Sequence, residues 1–234
     1  MLPGPFTTST DYRRDIITRH LQQIRSKQTP RKRRLDAYLL HLFLLENVSA
    51  IARVEDPSGP SFYLKHMDDK GDHILVDDDH NIVGIIDWEW AQTCPKAEAF
   101  NSPLCFLSTA DYYNGNNALG PEEVWFAEIL ESKGAHELAQ YVRNGRVEHR
   151  VSHSIGCDIL EPMALATASA ALYSALLGSK HEGTKDWKTW RRQALQKYQN
   201  DEGLREILRE VEADAADAYA PEPPSMLPFG LPTM

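Results

Sequence analysis

The chain has 234 residues, a formal net charge of −9 at pH 7, and 42% hydrophobic residues, a composition typical of globular proteins with a substantial core. The acidic balance argues against general nucleic-acid binding, which needs a basic surface to displace the counterions of phosphate groups. No apolar stretch reaches the roughly 18 residues of a membrane span, and the N-terminus lacks the apolar segment of a secretory signal. We therefore expect a cytoplasmic protein that binds neither nucleic acid nor membrane.

The first predicted element is a helix over residues 11–26. Ser9 or Thr10 is its candidate N-cap, because a short side-chain oxygen can accept hydrogen bonds from the free amide groups of the first turn. Pro30 is expected to end the helix, since proline cannot continue it. The apolar positions recur at helical spacing and mark the predicted buried face: Tyr12, Ile16, Leu21 and Ile24.

A second helix is predicted from Asp36, a candidate N-cap, through residues 37–51. It is apolar around nearly its whole circumference, which places it at the centre of the core. The basic run Arg31–Arg34 before it is typical of a solvated loop or a helix start, and a nuclear-import patch is the less favoured alternative. The turn-forming residues 55–61 then close the helical section.

Short β-type runs follow. Residues 62–64 form one predicted strand, and residues 74–76 and 82–86 form two more, joined by the acidic connection 77–81. Two β-branched runs with a short polar connection are typical of a β-hairpin. Asp87 comes directly after the second strand of this hairpin.

From Gly120 onward the pattern is helical again. Pro121 with Glu122 and Glu123 behind it marks a helix start, because proline suits the first helical position and acidic groups suit the first turn. Further helices are predicted over residues 136–143, 146–154, 159–177, 187–198 and 204–216. The Pro-rich end has no periodicity, so we expect a domain of residues 1–217 and a flexible tail of residues 218–234.

The residues with the clearest chemistry surround the hairpin. His66, Asp68 and His73 precede it or enter it, and Asp87 follows it. Phosphoryl transfer needs a carboxylate that accepts the proton of the attacking hydroxyl, and oxygen ligands that hold Mg²⁺ against the phosphates. A loop before a hairpin and a residue just after it can bring two such groups to the same end of a small sheet. The order therefore favours Asp68 and Asp87 as partners at one phosphate site.

The segment FYLKHMDDKGDHILVDDDHNIVGIIDWEWA, residues 62–91, resembles the C-terminal lobe of the aminoglycoside phosphotransferase and choline-kinase-like family. The common form in that family is HGDxxxxN, a hairpin, and then IIDWE. The segments GPFTTSTDYRR and YVRNGRVEHR resemble fungal members of the same family. The resemblance implies an α+β, mainly α-helical fold, namely the C-terminal lobe of a protein-kinase-like fold with a small β-hairpin carrying the catalytic loop.

By position, Asp68 resembles the catalytic base of the family and Asp87 its magnesium-binding aspartate, while His66 would fix the loop by hydrogen bonding within it. His73 stands where the family has an asparagine that helps to hold the metal, and Met67 where glycine is usual. The resemblance implies ATP and Mg²⁺ as cofactors and a small-molecule hydroxyl as the phosphate acceptor. An imidazole at position 73 predicts weaker binding of Mg²⁺, which prefers oxygen ligands.

The sequence before Asp68 lacks the parts that a kinase-like N-terminal lobe supplies, a Gly-rich loop and a lysine within an apolar strand. We therefore expect a C-terminal lobe alone, from a truncated gene, an incomplete gene model or a genuine one-lobe protein. The surface that would face the absent lobe is expected to expose apolar groups around Phe62, Leu64 and Ile86. Such a surface favours self-association or a partner.

Two alternatives to an active phosphotransferase stay open. One is a catalytically inactive one-lobe binding module or a gene fragment, which the missing front lobe favours. The other is a transition-metal site, because imidazole and carboxylate groups together suit zinc or manganese. Its candidate ligands are His66, Asp68, Asp72, His73 and His80.

Overall fold

The computed structural model describes residues 4–26, 31–52, 61–155, 162–177 and 187–218. Over these residues the protein is mainly helical, with two small antiparallel sheets of two strands each. This confirms the α+β, mainly α-helical class. The predictions for Pro30, for residues 55–60 and for the tail beyond residue 218 lie outside the described residues.

The helices, in chain order, are α1 Ser9–Arg25, α2 Arg31–Glu46, α3 Val48–Ala52, α4 Lys96–Ala99, α5 Thr109–Tyr113, α6 Pro121–Ser132, α7 His136–Asn144, α8 Arg146–Ile155, α9 Pro162–Leu177, α10 Trp187–Lys197 and α11 Glu202–Ala218. The strands are β1 Phe62–His66, β2 Ile74–Val76, β3 Ile82–Ile85 and β4 Ala91–Pro95. Two 3-10 turns cover Trp88–Trp90 and Leu104–Phe106. The predicted helices from Pro121 onward are confirmed within the described residues, while α11 extends onto residue 218, the first residue of the predicted tail.

The N-terminus of α1 differs from the prediction. The N-cap is Thr8, whose hydroxyl oxygen accepts a hydrogen bond from the Asp11 amide at 3.0 Å. Ser9 and Thr10 lie within the first turn and do not cap the helix. Adjacent hydroxyl residues have nearly equal capping preference, so the spacing to the free amide groups decides between them.

The predicted buried face of α1 is confirmed at Tyr12, Leu21 and Ile24 but not at Ile16. Ile17 is fully buried, whereas Ile16 is only half-buried. Arg13 shares the buried face with Ile17, Leu21 and Ile24, because residues about four apart lie on the same side of a helix. A charged side chain therefore enters the interior where the sequence indicated an apolar one.

Helix α2 begins at Arg31, earlier than predicted. Asp36, expected as its N-cap, lies inside the helix and accepts a hydrogen bond from Arg191 at 2.5 Å. Arg31–Arg34 form the start of α2, as one of the predictions had it, and Arg34 is buried against Glu210. The central position of α2 is confirmed, since its inner side chains form the middle of the main core with residues from α1, α8, α9, α10 and α11.

The two sheets hold the segments that carry the candidate chemistry. Strands β1 and β4 pair antiparallel, with Phe62 opposite Pro95 and His66 opposite Ala91. Strands β2 and β3 form the predicted hairpin, with Ile74 opposite Ile85. Strand β4 was not predicted, because its AQTCP sequence lacks the alternating pattern of a half-buried strand. Within the described residues, none of the helices combines the length and the apolar character needed to cross a membrane.

Candidate functional site

His66 connects the end of β1 to the end of the hairpin. Its Nε2 lies 2.9 Å from the carbonyl oxygen of Ile86, and since a carbonyl can only accept, Nε2–H is the donor. This hydrogen bond crosses to the hairpin, whereas the sequence predicted one within the loop. It joins the loop that contains Asp68 to the backbone immediately before Asp87.

His73 packs directly against His66. The two imidazole rings stack with centroids 4.1 Å apart and an interplanar angle of 15°, and both side chains are buried. The backbone carbonyl of His73 accepts a hydrogen bond from the Ile86 amide at 3.0 Å. The structure thus brings His66, His73 and the backbone next to Asp87 into one compact unit at the base of the hairpin.

Trp88 completes this unit, and the sequence assigned it no contact. Its indole Nε1–H donates to the carbonyl of Ile85 at 2.8 Å, and its ring meets the His66 ring edge-on with centroids 5.3 Å apart. The signal available in the sequence was an aromatic residue placed directly after Asp87. Trp88 and His66 therefore bind the carbonyl groups of the last two apolar residues of the hairpin.

Asp87 adopts a left-handed backbone conformation, with φ 61° and ψ 40°, just before the turn Trp88–Trp90. Few residues other than glycine take this conformation, and aspartate and asparagine are among those that do. The side chain is exposed to solvent. An exposed carboxylate is accessible to a ligand.

Asp68 lies in the loop after β1 with its side chain 43% exposed. Lys70 Nζ is 3.1 Å from Asp68 Oδ2 and 3.6 Å from Asp72 Oδ2, so the lysine bridges the two carboxylates. The hydrogen bond to Asp68 is the main factor that raises the pKa of Lys70. The loop therefore presents an accessible carboxylate with a cation beside it.

Asp69 anchors the loop, and sequence reasoning missed it. Its Oδ1 accepts a hydrogen bond from the Leu104 amide at 3.1 Å, and its backbone carbonyl accepts one from the Cys105 amide at 3.2 Å. Lys65, also part of this anchor, donates to the Glu98 carbonyl at 2.9 Å. The doubled aspartate at positions 68 and 69 was the available signal: one side chain is exposed and the other holds the loop in place.

Two cavities lie beside the loop and share the lining residues Met67, Glu98 and Ser152. The smaller, about 270 Å³, extends towards α5 and α8 and includes Tyr112 and His149 in its wall. The larger, about 840 Å³, lies against α1 and the β1–β4 sheet. The loop that carries Asp68 is thus flanked by open space on both sides of Met67.

His149 in α8 is buried beneath the smaller cavity. Its Nε2 donates to the Ser102 carbonyl at 2.8 Å, and its own carbonyl accepts from the Tyr112 hydroxyl at 2.9 Å. Burial lowers the pKa of His149 to about 3, because the charged imidazolium is poorly solvated there. The residue is therefore a neutral structural group that joins α8 to the segment before α5.

We predict that the free energy of unfolding falls as the pH is lowered, because His149 is buried in its neutral form. An unfolded imidazole has a pKa of about 6.5, so below that pH the unfolded chain binds a proton that the folded protein rejects. This contribution to stability is complete above pH 6.5 and should fall by about 2 kcal/mol between pH 7 and pH 5. In urea unfolding, the His149→Gln variant should not show this loss of stability. The His136→Gln variant should still show it, because His136 is exposed. Equal pH profiles for the two variants would contradict the assignment.

The donor side chains of the site determine which metal ions it could hold. Among the described residues, no three His, Cys, Asp or Glu side chains converge in a way that could hold a metal ion. The five candidate ligands of a transition-metal site are not brought together, since His80 is exposed at the hairpin turn while His66 and His73 are buried. Asp87 suits Mg²⁺, which is commonly bound through one or two carboxylates together with substrate phosphates and water.

Comparisons of the chain with protein-family models, with curated proteins and with solved structures gave no match. The resemblance to the aminoglycoside phosphotransferase and choline-kinase-like family therefore stays a prediction from the sequence between His66 and Ala91. What the chain does is accordingly a matter for proposal and experiment.

Proposed function

We propose that this chain carries the catalytic loop and the metal-binding turn of an ATP- and Mg²⁺-dependent phosphotransferase that acts on a small-molecule hydroxyl. The observation that carries the proposal is the hydrogen bond from His66 Nε2 to the Ile86 carbonyl. In the sequence, Asp68 follows His66 by two residues, and Asp87 directly follows Ile86. This contact joins the backbone before Asp87 to the residue at the start of the Asp68 loop, which supports the proposal that the two carboxylates serve one site.

Asp68 is proposed as the base. Its carboxylate is accessible, so an acceptor hydroxyl can approach it and transfer its proton as the hydroxyl oxygen bonds to the γ-phosphorus of ATP. The bond from that phosphorus to the β,γ-bridging oxygen breaks, and ADP leaves with the electron pair. The anchoring of Asp69 on Leu104 and Cys105 supports this role, because it fixes the backbone next to the base.

Asp87 is proposed as the protein ligand of Mg²⁺, which when bound neutralises and positions the phosphates of ATP. The exposure of its side chain supports the role, because substrate phosphates and the metal can reach the carboxylate. His73 was predicted as a second ligand. Its burial and its stacking on His66 favour a packing role, in which the imidazole holds the loop against the hairpin.

The cavities beside Met67 are the proposed space for the acceptor. Their volumes of about 270 and 840 Å³ suit a small molecule, since ligand pockets commonly measure about 300–1,000 Å³. Met67 lines both cavities and Asp69 lines the smaller one, and these two residues flank Asp68 in the sequence.

The proposal is tested by calorimetric titration of ATP into the full chain with and without Mg²⁺. We expect Mg²⁺-dependent binding that Asp87→Asn weakens at least about tenfold, or roughly 1.4 kcal/mol. Asp79→Asn is the matched control, because Asp79 is an exposed aspartate at the hairpin turn. If the wild-type protein shows no Mg²⁺-dependent binding of ATP, the enzymatic proposal fails and an inactive binding module becomes the better account.

A further inference from the structure

The hairpin and the turn after it form a large exposed apolar surface. We call β2, β3 and the turn Trp88–Trp90 the hairpin surface. Apart from Ile74, its large apolar side chains are each 43–65% exposed. Single exposed apolar residues are normal on a protein surface, but a contiguous group marks a site of interaction.

Exposed apolar side chains lie on both strands of the hairpin, whose pairing is irregular between Leu75 and Val76. Leu75 and Val76 are neighbours in β2, Ile82 and Val83 are neighbours in β3, and all four are exposed. Within the described residues β2 and β3 pair only with each other, and an isolated two-stranded hairpin is marginal in water. The exposed apolar side chains of both strands are therefore available to a partner.

Acidic side chains border this surface. Asp77, Asp78 and Asp79 are exposed at the tip, and Asp87 and Glu89 are exposed at the base. Hydrogen bonds from Asn81 to the Asp77 carboxylate lower the pKa of Asp77, which keeps the tip charged. A second copy of this chain also has a net charge of −9, so its carboxylates would repel the carboxylates of this surface. Charge complementarity thus favours a basic partner.

We propose that the hairpin surface docks a partner polypeptide whose apolar side chains are flanked by lysine and arginine. The partner's apolar side chains pack on the exposed apolar side chains of the hairpin, and its cations meet the aspartates at the hairpin tip. This inference concerns a protein interaction and is separate from phosphate transfer to a small molecule.

The test uses two synthetic strand-forming peptides of about ten residues, the upper length of a typical strand. One alternates valine with lysine, and the other alternates valine with glutamate. Binding of each labelled peptide to the full chain is measured by fluorescence anisotropy without nucleotide, so the result does not depend on the proposed enzymatic activity. We expect the lysine peptide to bind and the glutamate peptide not to bind.

Two matched variants locate the binding. Val83→Asn, on the hairpin surface, is expected to weaken binding of the lysine peptide at least about tenfold. Val211→Asn, at an exposed valine in α11, is expected to leave it unchanged. Equal binding by the two variants, or equal binding of the two peptides, would overturn the proposal. So would light scattering that shows a wild-type dimer lost in Val83→Asn, since that identifies a second copy as the occupant.

Discussion

Asp68→Asn is expected to lower the rate of phosphate transfer about 100- to 10,000-fold, the usual contribution of a positioned general base. The substitution keeps the shape of the side chain but removes its capacity to take the hydroxyl proton. Because Asp68 is well exposed and its ion pair with Lys70 lies at the surface, the free energy of unfolding should change by less than about 1 kcal/mol. Release of ADP in the presence of a panel of hydroxylated acceptors measures the rate.

Asp72→Asn is the matched control for this prediction. Asp72 contacts the same lysine, at 3.6 Å, and its side chain is 70% exposed. The control therefore removes the other carboxylate of the Lys70 bridge without touching the proposed base. If both variants lose activity to the same extent, the lysine bridge rather than proton transfer explains the loss, and Asp68 is not the base.

Arg13→Met is expected to destabilise the protein by about 3–5 kcal/mol, as is typical when one partner of a buried ion pair is removed. Arg13 is 1% exposed and pairs with Glu148, which is equally buried. Glu98 lies 3.5 Å from the same guanidinium. Without Arg13, two buried carboxylates would lose the cation that compensates them, because methionine replaces the volume of the side chain but not its charge.

Arg25→Met in the same helix provides the comparison. Arg25 forms a surface ion pair with Glu206, both about 40% exposed, and such pairs contribute about 1 kcal/mol or less. Denaturant unfolding of both variants measures the difference. The double variant Arg13→Met/Glu148→Met should recover part of the loss, since it also removes a stranded charge. If Arg13→Met lowers the free energy of unfolding no more than Arg25→Met does, the buried ion pair between Arg13 and Glu148 contributes little to stability.

The Arg13 cluster also illustrates what the sequence could not reveal. Arg13, Glu98 and Glu148 belong to α1, α4 and α8, and nothing in their local patterns indicates that they meet. Amphipathic reasoning places polar residues of a surface helix towards water. In α8 the reverse holds for Glu148, His149 and Arg150, whose partners come from distant segments: Arg150, for example, donates to Asn117 at 2.8 Å.

Elements defined by local signals were predicted well. The hairpin followed from two β-branched runs around an acidic connection, and α2 followed from its nearly uniform apolar character. The wrong predictions concern features that depend on contacts between residues far apart in the sequence. Asp36 had the right chemistry for a cap, but its partner is Arg191, far along the chain. Strand β4 exists because β1 offers it an edge, which no local pattern of residues encodes.

The candidate site shows the same division. The motif pointed to His66, Asp68, His73 and Asp87, and the structure places the two histidines together next to the backbone of Asp87. The contacts of Trp88 and Asp69 with backbone groups were beyond sequence reasoning, because the carbonyl and amide groups they bind become available only once the hairpin and the 104–106 turn have formed.

The left-handed backbone at Asp87 sets two requirements on that position that conflict with each other. Glycine adopts this conformation without steric cost, whereas a side chain there costs about 1–2 kcal/mol, with less for aspartate and asparagine. Selection for folding alone would therefore favour glycine after the hairpin. Aspartate at this position accepts a small backbone strain, as His80 at the hairpin turn also does, and the proposed role as a Mg²⁺ ligand would explain why a carboxylate is kept there.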